Sequence, residues 1–379
     1  MHCQSGKQSG RPPRDPASGC SDERPRTEGG TYRVGAPVLH KLHPLLPHLV
    51  MADLLNMNEP SVPYPAVPAE KIGRYAGAFH APAQARIGTV TLQVADLARS
   101  LAFFQGVIGF RLLPTPAGST TSGRAYLGAA GDERVLLALV EKPGVRPAVQ
   151  RGRLGLYHTA VLLPSRADLG RFLRHTLALG VHVGSSDHRF GEALYLVDPD
   201  GLSVEVYRDR SRPEWRVLEN GEILSANEPL QRDAVLAAGG EQPYDGLPVG
   251  TTLGHVHFYV GDVAQALPFY ATGLGLAQTL WRVPGANFVS AGGYHHHVGL
   301  NAWAAGSPVS TDEDARLLTW EWLLPDAASL AATVDSLQQA GFTSTADGDA
   351  YLVTDPWGIT VRLLVQPGTD LTHRREAHD

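Results

Sequence analysis

The sequence predicts an α+β fold built from four successive βαβββ modules. Three observations carry this prediction. Strand-like openings recur four times after residue 85, beginning at Ile87, Leu156, Leu253 and Leu317. Each is followed by a run with apolar residues at three- and four-residue spacing that closes on a Gly, the pattern of an amphipathic helix. Short alternating runs separated by turn residues then complete each unit, as three further strands require.

Taken in order, residues 1–80 are rich in Pro, Gly, Arg and Ser and lack either periodicity, so they read as a disordered extension outside the catalytic part. Met51 and Met57 leave open a natural start at either, and His40, His43 and His48 read as solvated bystanders. Module one spans 86–141 and opens IGTVTLQVADL, with ARSLAFFQGVIG as its helix. Module two spans 154–210 and opens LYHTAVLLPSR before ADLGRFLRHTLALG. Residues 211–250 carry Pro213, Pro229 and Pro243 and read as a connector. Module three, 251–305, opens LGHVHFYVGDV before AQALPFYATGLG, and module four, 316–367, opens LLTWEWLLPDA before AASLAATVDSLQQAG.

The stretch from His188 to Glu205, HRFGEALYLVDPDGLSVE, is the most informative. Alternation in ALYLV, a turn at Asp198-Pro199-Asp200-Gly201 and alternation again in LSVEVY predict a hairpin. Glu205 then sits inside an apolar strand, either as a ligand whose burial is offset by a metal or as a carboxylate on an exposed face. Aligning the modules places Thr89, His158, His255 and Thr319 at equivalent first-strand positions, and Glu205 and Arg362 at equivalent last-strand positions. Only modules two and three retain ligand chemistry, because a guanidinium stays protonated and cannot donate to a metal. His158, His255 and Glu205 form a two-His, one-carboxylate set of the kind that leaves open positions on a non-haem iron.

The spacing of His188, Leu194-Tyr195, Asp198-Pro199, Gly201 and Glu205 closely resembles the signature of the extradiol ring-cleaving dioxygenases of the vicinal oxygen chelate superfamily, with Ser186 departing from the residue types usual at its position. The resemblance covers nearly all the chain past the extension. It implies two glyoxalase/dioxygenase-like, cup-shaped domains, each from a pair of modules. It further implies a mononuclear Fe(II) centre, with Mn(II) as the other candidate, held by His158, His255 and Glu205. A catechol-type diol and O2 are the implied substrates, and His188 and Tyr195 are implied to hydrogen-bond substrate oxygens. The familiar four-module members draw all three ligands from their last two modules, and this chain does not. Chain-order pairing would split its ligand set, so module two is expected to pack on module three, and module one on module four as a degenerate support.

Module three adds YHHHVGLNAW from Tyr294 to Trp303. Treated as a strand, this run points His296 toward the metal and turns His295 and His297 away, making His296 the expected acid and base. His257 is expected to line the pocket outside the metal set, with Phe258, Tyr270, Phe288 and Trp303 as wall candidates.

Composition narrows the alternatives. The 379 residues, 43% hydrophobic, suffice for two domains, and no apolar run is long enough to span a membrane. Both cysteines, Cys3 and Cys20, lie in the first segment, which leaves His and carboxylate as metal donors beyond it, fits a reducing compartment and makes a cytoplasmic location the default. A net charge of -6 without a basic stripe argues against nucleic-acid binding, and whether the chain forms a homo-oligomer stays open. The competing expectations are a glyoxalase-like isomerase or thiol transferase on the same fold, and a drug-sequestering resistance protein without turnover.

Overall fold

Four helices begin the same way, and that shared start fixes the frame of every repeat. Asp96, Ser165, Asp262 and Asp326 each accept a hydrogen bond from the backbone amide three residues on. Each such cap satisfies one of the amides that a helix N-terminus leaves unpaired, and is worth about 1 kcal/mol. The computed structural model describes residues 67–116 and 122–367.

Module one folds as β1 (Arg86–Val94), α1 (Leu97–Phe103), β2 (Arg111–Leu113), β3 (Arg124–Gly128) and β4 (Leu137–Glu141). Module two follows with β5 (Gly155–Leu162), α2 (Arg166–Ala178), β6 (Gly184–Asp187), β7 (Gly191–Val197) and β8 (Ser203–Asp209). The connector holds α3 (Arg232–Ala238), which packs on α2. Module three contains β9 (Thr252–Tyr259), α4 (Val263–Leu267), β10 (Ala277–Leu280), β11 (Ala286–Ser290) and β12 (Val298–Asn301). Module four closes with β13 (Arg316–Leu324), α5 (Ala327–Gln339), β14 (Ser344–Asp347), β15 (Ala350–Thr354) and β16 (Thr360–Val365).

Two eight-stranded sheets result. One has the order β10-β11-β12-β9-β5-β8-β7-β6 and so joins modules two and three. The other, β14-β15-β16-β13-β1-β4-β3-β2, joins modules one and four. The joins are antiparallel, β5 against β9 and β1 against β13, so the first strands of partner modules meet at the centre of each sheet. On β9, Val256 and Phe258 face an apolar core shared with Val90, Leu92, Val161, Trp320 and Trp322, while His255 and His257 take the opposite face. Fully burying a side chain such as Phe258 contributes about 1.5–3 kcal/mol.

The extension expected over residues 1–80 needs correction at its end. Residues 1–66, with Cys3, Cys20, Met51, Met57, His40, His43 and His48, lie outside the described residues, but 67–80 are anchored to the fold at Ile72 and Arg74. Ile72 is buried among Phe190, Trp215, Ile223 and Leu280. The Arg74 amide donates to the Gln278 carbonyl at 2.9 Å, covering the edge of β10, and its guanidinium stacks over Trp281. A segment anchored by one apolar side chain and a backbone bridge has no periodicity for a sequence to display.

Candidate metal centre

His158 lies on β5 and His255 on the adjoining β9. The antiparallel register sets Ala160 opposite His255 and His158 opposite His257, while the parallel pairing of β5 with β8 sets Ala160 beside Glu205. Ala160 is small, so the larger side chains around it converge. His158 Nε2 stands 3.0 Å and His255 Nε2 3.1 Å from Glu205 Oε2, and the two nitrogens are 3.2 Å apart. All three side chains are buried. Among the described residues this is the one grouping of three or more His, Cys, Asp or Glu side chains that could hold a metal ion.

The donor set fits a cation. Neighbouring donors around a first-row ion with bonds of about 2.1 Å stand about 3 Å apart, close to each edge of this triangle. Protons alone serve the cluster poorly: both Nε2 atoms would have to donate to a single carboxylate oxygen, and the Nδ1 atoms of His158 and His255 lack hydrogen-bond partners among the described residues. Burial pulls His255 down to about 4, so its imidazole is neutral and its lone pair free. Burial pushes the Glu205 carboxyl up, but His255 and His158 beside it outweigh this and hold it well below the usual carboxylate range.

The turn that aims Glu205 is built by its own side chains. Asp198 Oδ1 accepts from the amides of Asp200 and Leu202, at 2.9 and 2.7 Å. Gly201 takes a φ of +82°, and a Cβ there would lie 2.0 Å from the Ala148 carbonyl oxygen, so both backbone angle and space require glycine. On β7, Tyr195 pairs across from Glu205, and its hydroxyl lies 2.7 Å from His188 Nε2. His188 Nδ1 is 3.0 Å from the Ala226 carbonyl, an acceptor only, so Nδ1 carries a proton. Burial, followed by the Glu205 charge, holds the Tyr195 phenol well above its ordinary value and therefore protonated.

His296 lies against His255, with ring centroids 4.1 Å apart, and against Phe288 at 4.9 Å. Burial, then the surrounding imidazoles, keeps it neutral. The expected strand around it is not there, because β12 begins only at Val298 and His295 and His296 precede it as irregular backbone after the Gly292-Gly293 turn. Alternation therefore does not turn His295 away: its Nδ1 lies 2.8 Å from His296 Nδ1 and its Nε2 2.7 Å from Asp209 Oδ1. His297 does lie apart, its Nδ1 3.0 Å from Ser290 Oγ. His257 Nε2 accepts from the Asn301 amide group at 3.0 Å, which occupies it outside the ligand cluster.

Of the expected walls, Phe288 and Trp303 contact His257. Phe258 and Tyr270 instead belong to the core on the far face, where the Tyr270 hydroxyl donates to Asp355. Sequence reading missed Tyr157, which packs on His158, His257 and Trp303, and also Asp209, Tyr207 and Tyr294. Asp209 and Tyr207 continue the alternation of Glu205 along β8, and that parity was the available signal.

In the other sheet Arg362 pairs across from Glu321, with Nη1 3.0 Å from Oε1, and the Thr89 amide donates to the same carboxylate at 2.9 Å. A guanidinium thus stands at the position equivalent to Glu205.

These sheets define a fold of two cups, one of which carries a candidate metal centre, and the comparisons place it. The chain belongs to the Glyoxalase/Bleomycin resistance protein/Dioxygenase superfamily, whose model matches residues 86–206 and 252–363. It is 37% identical over 273 residues to a Bacillus subtilis (strain 168) protein named catechol-2,3-dioxygenase, covering 71% of this chain and 93% of that one. A solved structure from Bacillus subtilis subsp. subtilis str. 168, provisionally assigned as a dioxygenase, shares the fold with a TM-score of 0.55 at 16% identity, over 76% of this chain and 87% of that one. Glyoxalase I of Zea mays is more distant, at 17% identity and a TM-score of 0.45 over 74% of this chain and 92% of that one.

Proposed function

We propose that this chain is an extradiol dioxygenase that opens a catechol-type ring beside its two hydroxyls, using Fe(II) held by His158, His255 and Glu205, with Mn(II) as the alternative ion. The observation that carries the proposal is the buried triangle of two imidazole nitrogens and one carboxylate oxygen, with edges of 3.0–3.2 Å. The relative named catechol-2,3-dioxygenase supports the choice of substrate class.

When bound, the metal would supply a site where diol and O2 meet and electron density can pass from ring to oxygen, which triplet O2 otherwise accepts slowly. The protein groups supply the rest. His296, neutral and beside His255, is placed to take a catechol hydroxyl proton and later return it. Tyr195, whose hydroxyl lies 2.7 Å from His188 Nε2 and beside Glu205, is placed to hydrogen-bond a substrate oxygen. Tyr157, Phe288 and Trp303 form an aromatic wall suited to a planar ring. Both atoms of O2 enter the product, one carbon–carbon bond breaks, and no external reductant is consumed.

The test is oxygen uptake by anaerobically Fe(II)-reconstituted protein offered catechols, hydroquinones and methylglyoxal with glutathione. A ring-opened product carrying two labelled atoms from 18O2 is expected with a catechol. Turnover of the glutathione adduct without oxygen uptake, or tight aromatic binding with no turnover, overturns the proposal in favour of the isomerase or sequestering alternatives.

A further inference from the structure

Asp209, His295 and His296 form a hydrogen-bonded line that ends at the metal-ligand cluster, and nothing in the reaction outlined above uses its first two members. Asp209 Oδ1 is 2.7 Å from His295 Nε2, and His295 Nδ1 is 2.8 Å from His296 Nδ1. The carboxylate is held from its other side by Tyr294, whose hydroxyl lies 2.8 Å from Oδ2 and 2.8 Å from the Tyr207 hydroxyl. His295 is fully buried, with its ring stacked on Phe190 at 4.3 Å and edge-on to Trp215 at 5.3 Å, so it cannot rotate to another partner.

We infer that Asp209 and His295 are positioning residues that set the tautomer of His296. A carboxylate only accepts, so His295 must donate from Nε2. With one proton on that ring, its Nδ1 is a lone pair and must accept from His296 Nδ1–H. For a singly protonated His295 this arrangement satisfies both contacts and leaves His296 Nε2 as its unprotonated nitrogen; a second proton on His295 would let it donate from both nitrogens and put the His296 proton on Nε2, an outcome that would overturn the inference. The inference rests on the reading in which His296 takes the substrate proton. In that step the catechol O–H bond breaks, its electron pair stays on oxygen, and a new N–H bond forms at His296 Nε2. The imidazolium so formed keeps its Nδ1–H toward His295, and the Asp209 charge stabilises it through that ring. The arrangement has the logic of a carboxylate that orients a catalytic imidazole and supports its charge.

Full-length protein with 15N-labelled histidine, at neutral pH and without added metal, reports each ring's tautomer by NMR. The expected wild-type pattern is a proton on Nε2 of His295 and on Nδ1 of His296. In Asp209→Val, which removes the acceptor, the His295 proton is expected to move to Nδ1 and the His296 proton to Nε2. Asp209→Asn should do the same if its amide donates to His295. In Fe(II)-loaded protein both variants should lose roughly 10²- to 10⁴-fold in kcat, with KM within threefold and iron content unchanged. His295→Gln, which can donate to Asp209 and accept from His296, should keep at least tenfold more kcat than His295→Leu. Tyr294→Phe tests whether loss of a bond on the far side of Asp209 matters, and should leave the tautomers as in wild type. Wild-type tautomers in the Asp209 variants, or equal losses in His295→Gln and His295→Leu, overturn the inference. If the wild-type protein consumes no oxygen with any diphenol, the proposed function fails, and the NMR arm still decides the tautomer assignment independently.

Discussion

Replacing His158, His255 or Glu205 with Ala removes one corner of a buried triangle and leaves the other two donors facing each other. Each of these variants is expected to lose most of its iron and its activity, whereas Thr319→Ala, at the equivalent place in the other sheet, should lose neither. Metal analysis of the reconstituted proteins decides this, and full iron occupancy in any of the three would remove that residue from the site. His296→Phe is the complementary case, because this side chain touches the cluster without joining it. Iron and catechol binding should survive while kcat falls roughly 10²- to 10⁴-fold, the usual contribution of a positioned acid or base. An unchanged kcat would show that the proton goes elsewhere.

The hairpin of β7 and β8 was legible because its turn is chemically explicit: Pro fixes one angle, Gly supplies another, and Asp198 ties the loop to its own amides. The approach to β12 was not, since three histidines after two glycines look the same in a strand and in an irregular turn. Only the ladder bonds, absent before His297, distinguish them. The turn also carries a pH dependence. Burial pushes the Asp198 carboxyl up to about 7, and its Oδ2 lacks a partner among the described residues. Because the folded state holds that proton more tightly than the unfolded chain, whose Asp titrates at about 4, the contribution to stability is complete below that value and lost as pH rises through about 7. Asp198→Asn mimics the protonated form. Its Tm relative to wild type should be higher at pH 8 than at pH 5, and the reverse order in calorimetry would refute the assignment.

Across the molecule, the pairing of module two with module three follows from where ligand chemistry survives: His158 and Glu205 in one repeat and His255 in another make a single site only if β5 and β9 adjoin, as they do. What the sequence could not show is which residue the Arg362 guanidinium pairs with in the other sheet. There the Arg362 guanidinium, paired with Glu321, is a cation supplied by the chain itself. Iron titration should therefore saturate at one ion per chain, and two per chain would mean that this ion pair gives way.

Glu205 has a counterpart on β12 that is not a carboxylate. His158 corresponds to His255 and Ala160 to His257, so the residue beside His257 in the ladder, Gly299, stands where symmetry would call for a second Glu. Any Cβ at Gly299 would meet the His257 ring at 2.6 Å, which closes that place to a replacement. The two repeats thus build a centre with a near-twofold axis and then break it. A centre with a carboxylate on both sides would present the same face to either end of a diol. This one has a front and a back, and a diol of the class proposed above would meet a site that already tells its two hydroxyls apart.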